Sequence, residues 1–432
     1  MGDTVVIKKR VSTDLKNQQL LPLIALVMPA STYRASPFLV AAKELGVKSL
    51  VVSDVDVVPL GDLADKFLKV DFNDSTDATA QLIMKLSQYR DELGGQVGVL
   101  AVDDRGVEIA NNVAISMGLK FANPGLGIKA TRDKALLREL LSKKGCNQPK
   151  WRHFLAGEPY VEIVEREIGY PIVVKPIDMQ GSRGVIKADT KEQLSEAVLV
   201  IETLICDKEP TFIAESYLDG SEIAVEALLV NGEVNVVAIF DKPEPLLGPY
   251  FEETLYVTPT MLDQASQAQI VSEVEKAIDA LGLKNGALHV EVRLVGSKDS
   301  FVPYVIDLAA RTIGGQCSSI VEFVGGLTLE KALISMALGM GIQEIVPSDA
   351  PRGVAMLPIV KSGELVKVSG VKKAQGIPDI TGVSITVSVG EEIKALPYGD
   401  RYIGFAFAKA QSQELVTAAL RAAVDTVEFD ID

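Results

Sequence analysis

The sequence has few of the residues that build zinc sites and disulfide frameworks. Its 432 residues include three cysteines and two histidines. Cys146, Cys206 and Cys317 lie far apart without a CxxC pair, and the histidines are His153 and His289. A structural zinc ion or a disulfide framework is therefore not expected.

Basic residues are also scarce, with 43 Lys and Arg against 58 Asp and Glu and a formal net charge of -15. Binding to a polyanion requires clustered Lys and Arg to neutralise its phosphates. We therefore expect no nucleic acid partner.

Long hydrophobic runs are missing as well, because no run reaches the roughly 18 residues that a membrane span requires. The segment Leu20–Ala30 is similar to the apolar part of a signal peptide, but Asp3 and Asp14 interrupt the basic leader and Pro22 breaks the run. A buried first strand is the better interpretation. We expect a soluble, cytoplasmic protein without a membrane partner.

The sequence does contain enough apolar residues to form large cores, because they make up 47% of the chain. Its length predicts about two or three domains. Apolar runs at 23–28, 49–53 and 97–102 alternate with helical segments, which indicates a parallel sheet covered on both faces. This is the pattern of a Rossmann-like domain. The turn after the first run lacks GxGxxG, so dinucleotide binding is not expected there.

The remainder of the chain predicts a mixed α/β and α+β architecture. Apolar runs from Pro171 and at 212–218 and 223–230 indicate a small antiparallel unit, and short strands with Gly or Pro turns follow residue 346. We predict a Rossmann-like domain at 1–128, a central domain at 129–345 with a lid at about 150–220, and a mixed α/β domain at 346–432.

A helix is predicted over 131–144, with Thr131 as its cap and Gly145 beyond its end. Lys134 falls in the first turn of this helix, where the helix dipole disfavours a cation. An anion close to Lys134 would explain its position.

The most informative stretch is a hairpin formed by 287–295 and 301–309, in which apolar residues occupy the even positions of both strands. If these positions share the buried face, Glu291 and Asp307 become cross-strand neighbours on the other face, together with His289 and Arg311. Two adjacent carboxylates repel each other unless a cation lies between them, and Mg²⁺ held jointly with phosphates suits them. The alternative is a solvated face on which Arg293 or Arg311 neutralises both acids.

The loop 180–184, with sequence QGSRG, has small residues whose backbone N–H groups can fold over phosphates. An ordinary hairpin turn has a similar composition. Lys175 ends an apolar strand and requires an anionic partner if it is buried, which a phosphate would provide.

Taken in order, these features resemble the ATP-grasp superfamily over nearly the whole chain. The resemblance implies that Lys134 and Lys175 contact ATP, that the loop is a flap over the phosphates, that Glu215 and the hinge backbone hold adenine, and that Glu222 binds the ribose. The implied ATP-binding residues are Lys134, Lys175, Gly181, Ser182, Arg183, Gly184, Glu215, Ser216, Tyr217, Leu218 and Glu222.

The resemblance also implies that Glu291 and Asp307 bind Mg²⁺, with Mn²⁺ as a substitute, and that Arg311 holds the transferring phosphate or the intermediate. The sequence departs from the commoner family pattern at Ala309, where an Asn would ligate a second metal. The acidic-x-Ala-Ala-Arg pattern with His289 is similar to that of L-amino-acid ligases, and the segments 356–365 and 396–408 are similar to the C-terminal domain of that branch and of biotin carboxylase.

Activation of a carboxylate by ATP is the implied reaction, followed by attack of an amine on an acyl-phosphate, with Arg311, His289 and Lys175 as catalytic residues. The implied partners are a small-molecule carboxylate and an amine, and the implied assembly is a homodimer. His289 assists proton removal or orients Asp307. The loop 240–259, with Lys242 and Glu253, either lines the acceptor pocket or is a solvated connection.

Two other functions stay open at this point. A biotin-dependent carboxylase shares the implied fold and also passes through a phosphorylated carboxylate. A regulatory module that binds ATP without turnover would fit the missing Asn at position 309.

Overall fold

The N-terminal part of the chain forms a parallel sheet with helices on its faces. The computed structural model describes residues 21–56, 63–92, 95–205, 211–297, 300–341, 345–399 and 401–432. The first elements are β1 (Leu23–Val27), α1 (Ala35–Glu44), β2 (Lys48–Ser53), β3 (Lys66–Lys69), α2 (Ser75–Ser87), β4 (Val97–Ala101) and α3 (Asp104–Met117). The strand order is β3-β2-β1-β4, with parallel neighbours. The three predicted strands are confirmed, and β1 is buried throughout because helices cover both faces.

Two helices, α4 (Gly125–Ala130) and α5 (Lys134–Lys144), lead out of this region. The prediction that Thr131 caps the second helix is wrong, because α5 begins at Lys134 and its cap is Asp133, which accepts a hydrogen bond from the amide of Leu136. The Thr131 hydroxyl donates to the carbonyl of Ile128 at the end of α4 instead. Lys134 therefore lies in the first turn of α5, as predicted.

Residues 151–216, which we call the lid, form a small antiparallel sheet in the order β5-β8-β6-β7. The elements are β5 (Trp151–Phe154), α6 (Tyr160–Glu167), β6 (Ile172–Pro176), β7 (Ile186–Ala188), α7 (Lys191–Ile205) and β8 (Phe212–Ser216). Apolar residues of α6 and α7 pack on one face of this sheet and give the lid a core of its own.

A large antiparallel sheet follows, in the order β13-β12-β9-β10-β11-β14-β18-β16, and a small sheet has the order β17-β15-β19. The elements are β9 (Ser221–Val230), β10 (Glu233–Asp241), β11 (Leu255–Thr258), α8 (Gln264–Leu281), β12 (Gly286–Ser297), β13 (Ser300–Ala309), α9 (Leu329–Ala337), β14 (Arg352–Leu357), β15 (Gly363–Ser369), α10 (Val371–Gln375), β16 (Ile380–Ile385), β17 (Glu392–Ile393), β18 (Gly404–Lys409), α11 (Gln413–Thr426) and β19 (Glu428–Ile431). Among the described residues, no helix is long and apolar enough to cross a membrane.

The two faces of the large sheet have different roles. On β9, Ile223 and Val225 pack with α5 and α8 in one core, whereas Ala224 and Leu228 pack in another core with the N-terminal region. Because side chains alternate along a strand, Glu222 and Glu226 share the face of Ala224. This face carries the candidate site.

The predicted hairpin forms from β12 and β13, and Glu291 pairs directly with Asp307. The prediction that all even positions of the second strand are buried is wrong, because Val302 is 42% exposed whereas Val305 is fully buried. A β-bulge shifts the register between Glu291 and Val292, which reverses the alternation along β13.

Candidate active site

One cavity lies where the N-terminal region, the lid, the large sheet and the C-terminal region meet. Of the predicted site residues, it is lined by Lys134, Lys175, Gly181, Ser182, Glu215, Ser216, Tyr217, Leu218, Glu222, His289, Glu291, Asp307 and Arg311. Arg183 and Gly184 are not among the lining residues. Strands distant in sequence thus bring most of the predicted residues together.

Lys175 is buried at the end of β6, and its partner is Glu215 on the neighbouring strand β8. The Lys175 ammonium lies 2.8 Å from Glu215 Oε2, and Arg138 donates from Nε to Glu215 Oε1 at 2.6 Å. Burial opposes ionisation of Glu215, but Arg138 and Lys175 outweigh it and lower its pKa to about 2. The carboxylate therefore stays charged and fixes the lysine at the cavity wall.

The flap 180–184 covers one side of the cavity, with Gly181, Ser182 and Gly184 all at positive φ. Lys134 Nζ donates to the carbonyl of Met179 at 2.6 Å, just before the flap. At the other end of the flap, the amide of Gly184 donates to the carbonyl of Pro397 at 3.0 Å. The flap is therefore held between α5 and the C-terminal region.

The end of β8 and the residues that follow it line the cavity, and two of their amides donate to backbone carbonyls. The amide of Ser216 donates to the carbonyl of Lys150 at 2.8 Å, and that of Tyr217 donates to the carbonyl of Pro171 at 3.0 Å. Tyr217 also packs near the buried pair Val173 and Phe251. An aromatic and aliphatic wall of this kind suits a flat heterocycle.

Lys242, the first residue of the loop that follows β10, lies among three carboxylates. Its ammonium contacts Glu222, lies 2.8 Å from Glu253 Oε1 and lies 3.6 Å from Glu291 Oε1. Burial disfavours its charge, but these carboxylates raise its pKa well above the usual range. Burial raises the pKa of Glu253 to about 7, with Lys242 opposing and Glu291 reinforcing the shift.

Glu222, Glu253 and Glu291 offer carboxylate oxygens within 4.8 Å of one another, so they form a potential metal site in addition to the predicted pair Glu291 and Asp307. The other Glu222 oxygen accepts from Arg293 Nε at 2.8 Å. Both Glu222 oxygens are thus engaged within the protein. The burial of Lys242 and Arg293 beside Glu222 was not predicted.

His289 connects the hairpin to β9. Its Nδ1 lies 2.8 Å from Glu226 Oε1, and its Nε2 lies 3.7 Å from Glu291 Oε1. Burial lowers the pKa of His289, but the hydrogen bond with Glu226 and the carboxylate of Glu291 raise it to about 9. Glu226 also accepts the amide of Ile313 at 3.1 Å, which ties this pair to the segment after Arg311.

Arg311 follows β13 and is oriented from the N-terminal region. Its Nε donates to Asp104 Oδ2 at 2.8 Å, and its Nη1 donates to the carbonyl of Thr312 at 2.9 Å. Burial disfavours the charge of Arg311, but Asp104 and Asp103 keep its pKa above the usual range. The carboxylates of the N-terminal region therefore belong to the site.

Sequence reasoning did not find several lining residues. Tyr33, Arg34, Asp103 and Asp104 come from the region interpreted as a Rossmann-like scaffold. Arg138 does not line the cavity but holds Glu215, and it was missed because it lies in the apolar face of α5, although a single buried arginine in a leucine-rich helix is a detectable signal. The loop 240–259 does line the cavity, through Phe251, Glu252, Glu253 and Tyr256.

Comparison with known proteins shows which parts of the chain have relatives. Residues 168–320 match the ATP-grasp domain, and residues 355–432 match the L-amino acid ligase C-terminal domain 2. The chain is 31% identical over 235 residues to alanine–anticapsin ligase of Bacillus subtilis strain 168, covering 49% of this chain and 48% of that protein. It is 25% identical over 237 residues to dapdiamide A synthase of Enterobacter agglomerans, covering 52% of each protein.

The crystal structure of an L-amino acid ligase from Bacillus licheniformis has the same fold, with a TM-score of 0.81 and 24% identity over 95% of this chain and 99% of that chain. The matches to the first curated relatives span about half of those proteins' length. Residues 168–320 are therefore an ATP-grasp domain, as the sequence predicted. The C-terminal region is similar to that of L-amino acid ligases, also as predicted.

Proposed function

We propose that the chain is an ATP-dependent carboxylate–amine ligase that forms an amide bond and releases ADP and phosphate. The observation that carries the proposal is the single cavity in which two lysines, a carboxylate pair and Arg311 converge. The names of its relatives, alanine–anticapsin ligase and L-amino acid ligase, support an amino acid as one substrate.

ATP would lie between the lid and the large sheet. In this proposal Lys134 and Lys175 contact the phosphates, the flap Gly181–Gly184 covers them, and adenine lies against Glu215 and the segment Ser216–Leu218. Glu222 binds the ribose. Support comes from the position of most of these groups around the cavity, although Arg183 and Gly184 of the flap do not line it.

A divalent cation fits the carboxylate side of the cavity. Glu291 and Asp307 face each other across the hairpin, and their oxygens are the ligands that Mg²⁺ prefers, with Mn²⁺ as a substitute. Ala309 provides no ligand, so we propose that these two acids hold the ion. When bound, Mg²⁺ would neutralise charge on the phosphates.

In the first step, a carboxylate oxygen of the acid attacks the γ-phosphorus of ATP. The new O–P bond forms as the bond to ADP breaks, and ADP leaves with the electron pair. The amine then attacks the carbonyl carbon, the bond from that carbon to the phosphate oxygen breaks, and phosphate leaves with the electron pair and takes up the proton that the amine loses. Arg311 stabilises the negative charge of both steps, and positioning supplies much of the remaining catalysis.

His289 is better suited to electrostatic support than to proton removal in the resting enzyme. A pKa of about 9 keeps its imidazolium charged near neutral pH, and Glu226 fixes its Nδ1–H. We propose that it orients Glu291, which lies 3.7 Å from its Nε2.

The test is a screen of acids with ATP, Mg²⁺ and hydroxylamine. Hydroxylamine should replace the amine and give a hydroxamate with one ADP per acid consumed. Release of AMP and pyrophosphate would contradict the proposal. Biotin-stimulated, bicarbonate-dependent ADP release would favour a carboxylase, and ATP binding without turnover would favour a regulatory module.

Assembly and location also remain proposals. The family resemblance implies a homodimer in the cytoplasm. Light scattering on the purified chain measures the mass directly, and a monomer at micromolar concentration would contradict the dimer.

A further inference from the structure

The N-terminal sheet has a crevice between β1 and β4. The strand order β3-β2-β1-β4 places these strands side by side, although the chain leaves β1 toward β2 and reaches β4 on the opposite side. In open parallel sheets, ligands bind at the carboxyl ends of the strands where the order reverses in this way.

The two loops at this crevice supply residues to the cavity described above. Tyr33 and Arg34 follow β1, Asp103 and Asp104 follow β4, and all four line the cavity. The crevice therefore opens into the part of the cavity that Arg311 lines, where we place the phosphates of ATP. It does so without the glycine-rich motif of dinucleotide-binding sites.

Two guanidinium groups converge there on one oxygen. Arg34 Nη1 and Arg311 Nη1 each donate to the carbonyl of Thr312 at 2.9 Å. Asp103 accepts from Arg34 Nη2 at 2.7 Å, and Asp104 accepts from Arg311 Nε at 2.8 Å. The consecutive residues Asp103 and Asp104 thus each orient one of the two guanidinium groups.

Arg34 has a donor left over. It is 7% exposed, and its Nε–H is buried without an acceptor among the described residues. An unsatisfied buried donor is costly, so an acceptor from outside the chain is favoured. The planar fork of arginine matches carboxylate and phosphoryl oxygens.

We propose that Arg34 and Arg311 together form an anion site that holds the carboxylate of the acid substrate and the phosphoryl group transferred to it. Asp103 and Asp104 are positioning residues that orient the two guanidiniums. This inference rests on the proposed function, and it makes the N-terminal region a part of the substrate site.

The first test does not require turnover. Inorganic phosphate is titrated calorimetrically into protein saturated with ADP and Mg²⁺. Arg34→Met should weaken phosphate binding by at least about 10-fold, as expected for loss of hydrogen bonds to a charged group. Unchanged phosphate affinity, or no phosphate binding by the wild type, would overturn the proposal.

Arg352→Met is the matched control. Arg352 is 3% exposed, contacts Glu322 and donates to the carbonyls of Ser348 and Ala350, but it does not line the cavity. This variant loses an equally buried guanidinium and should bind phosphate as the wild type does. A similar loss in both variants would mean that Arg34 acts only through stability.

Arg34→Met leaves Asp103 buried without its cation and can impair folding. The double variant Arg34→Met/Asp103→Asn removes both charges, and circular dichroism checks its fold. If the folded double variant keeps wild-type phosphate affinity, Arg34 is not part of an anion site.

Steady-state kinetics with an acid found by the hydroxylamine screen give the second test. Arg34→Met should raise the KM of the acid by at least about 10-fold and leave the KM of ATP within about twofold, and Arg34→Lys should recover part of the loss. Asp104→Asn should mainly lower kcat, because Arg311 loses its orientation. A rise in the KM of the amine alone would overturn the assignment. If no acid supports turnover, the proposed function fails while the phosphate titration still decides this inference.

Discussion

At the scale of single residues, the carboxylate pair on the hairpin is the part of the site that the sequence predicted most directly. Alternating apolar residues placed Glu291 opposite Asp307, and the register agrees. The same alternation predicted the wrong faces for Val302 and Val305, because a bulge shifts the register and no local sequence motif indicates this bulge. The odd or even position of a residue therefore predicts which face of a strand it lies on only where the pairing of the two strands is regular.

We predict that Glu291→Gln and Asp307→Asn each lower kcat by at least about 100-fold, because each removes a charge that faces the transferring phosphate. Both side chains lie outside the apolar core, so the fold should persist, but Glu291→Gln should lower the midpoint of thermal unfolding because Lys242 and His289 lose a neighbouring carboxylate. Asp279→Asn is the control, since Asp279 is an exposed carboxylate paired with Lys144. Wild-type turnover of either site variant at saturating Mg²⁺ would rule out the assignment.

We predict that Lys175→Ala weakens ATP binding by at least about 10-fold, whereas Lys143→Ala has no effect. Lys175 is buried beside Glu215 at the cavity, and Lys143 is an exposed residue in the last turn of α5. Calorimetry with ATP and Mg²⁺ compares the two variants. Equal affinities would mean that neither lysine contacts the nucleotide.

His289 predicts a pH dependence of stability. Its pKa is raised from 6.5 to about 9, so its contribution is fully present below about pH 6.5 and is lost as the pH rises through 9. Between pH 7 and 9.5, the free energy of unfolding should fall by about 1–3 kcal/mol more in the wild type than in His289→Asn. Urea unfolding without nucleotide and metal measures this, and parallel pH profiles would disprove the assignment.

At the scale of elements, the strands and helices of the N-terminal sheet could be read from periodicity, whereas local capping could not. Both Thr131 and Asp133 are good caps by composition, and only the three-dimensional path of the chain decides between them. The ion pairs of Arg138 and Lys242 were missed for a related reason. Their partners are far away in sequence, so no spacing rule connects them.

The lid provides the prediction for this scale. The flap and β7 are held by backbone hydrogen bonds, in which the amide of Lys187 donates to the carbonyl of Pro249 at 2.8 Å and the Gly184 amide donates to Pro397, and the apolar contact of the lid with Leu246 and Phe251 is small. Segments held in this way open easily. We predict that amides of Gln180–Gly184 exchange at least about 10-fold more slowly after ATP and Mg²⁺ are added, because the phosphates satisfy them.

Hydrogen exchange with mass spectrometry detects this change, and the exposed turn at Asn231 and Gly232 is the internal control. Trp151, the only tryptophan, lies in the lid with its indole N–H 3.4 Å from Ser142 Oγ on α5, so its fluorescence reports the same motion. Unchanged protection of the flap together with unchanged fluorescence would identify an ordinary turn.

At the scale of the whole molecule, we retain the division into 1–128, 129–345 and 346–432 as a proposal, with the lid at about 150–220. The large sheet runs across the last boundary, because β11 pairs with β14 and β14 pairs with β18. The C-terminal region also lines the cavity through Lys394, Leu396 and Tyr402. A boundary based on composition marks a change in local pattern, and it does not show that the two sides fold separately.

The continuous sheet leads to the last prediction. Ending the chain at residue 345 removes β14, β16 and β18 together with α11, and it exposes β11, whose Leu255 and Val257 are buried against these elements. An uncovered apolar edge strand is prone to aggregation. We predict that the fragment 1–345 is insoluble or lacks ATP binding, whereas the full chain unfolds in one transition that includes the C-terminal region. Size-exclusion chromatography and calorimetry measure both properties. A monomeric fragment that binds ATP with wild-type affinity would show that the C-terminal region is dispensable for the nucleotide site.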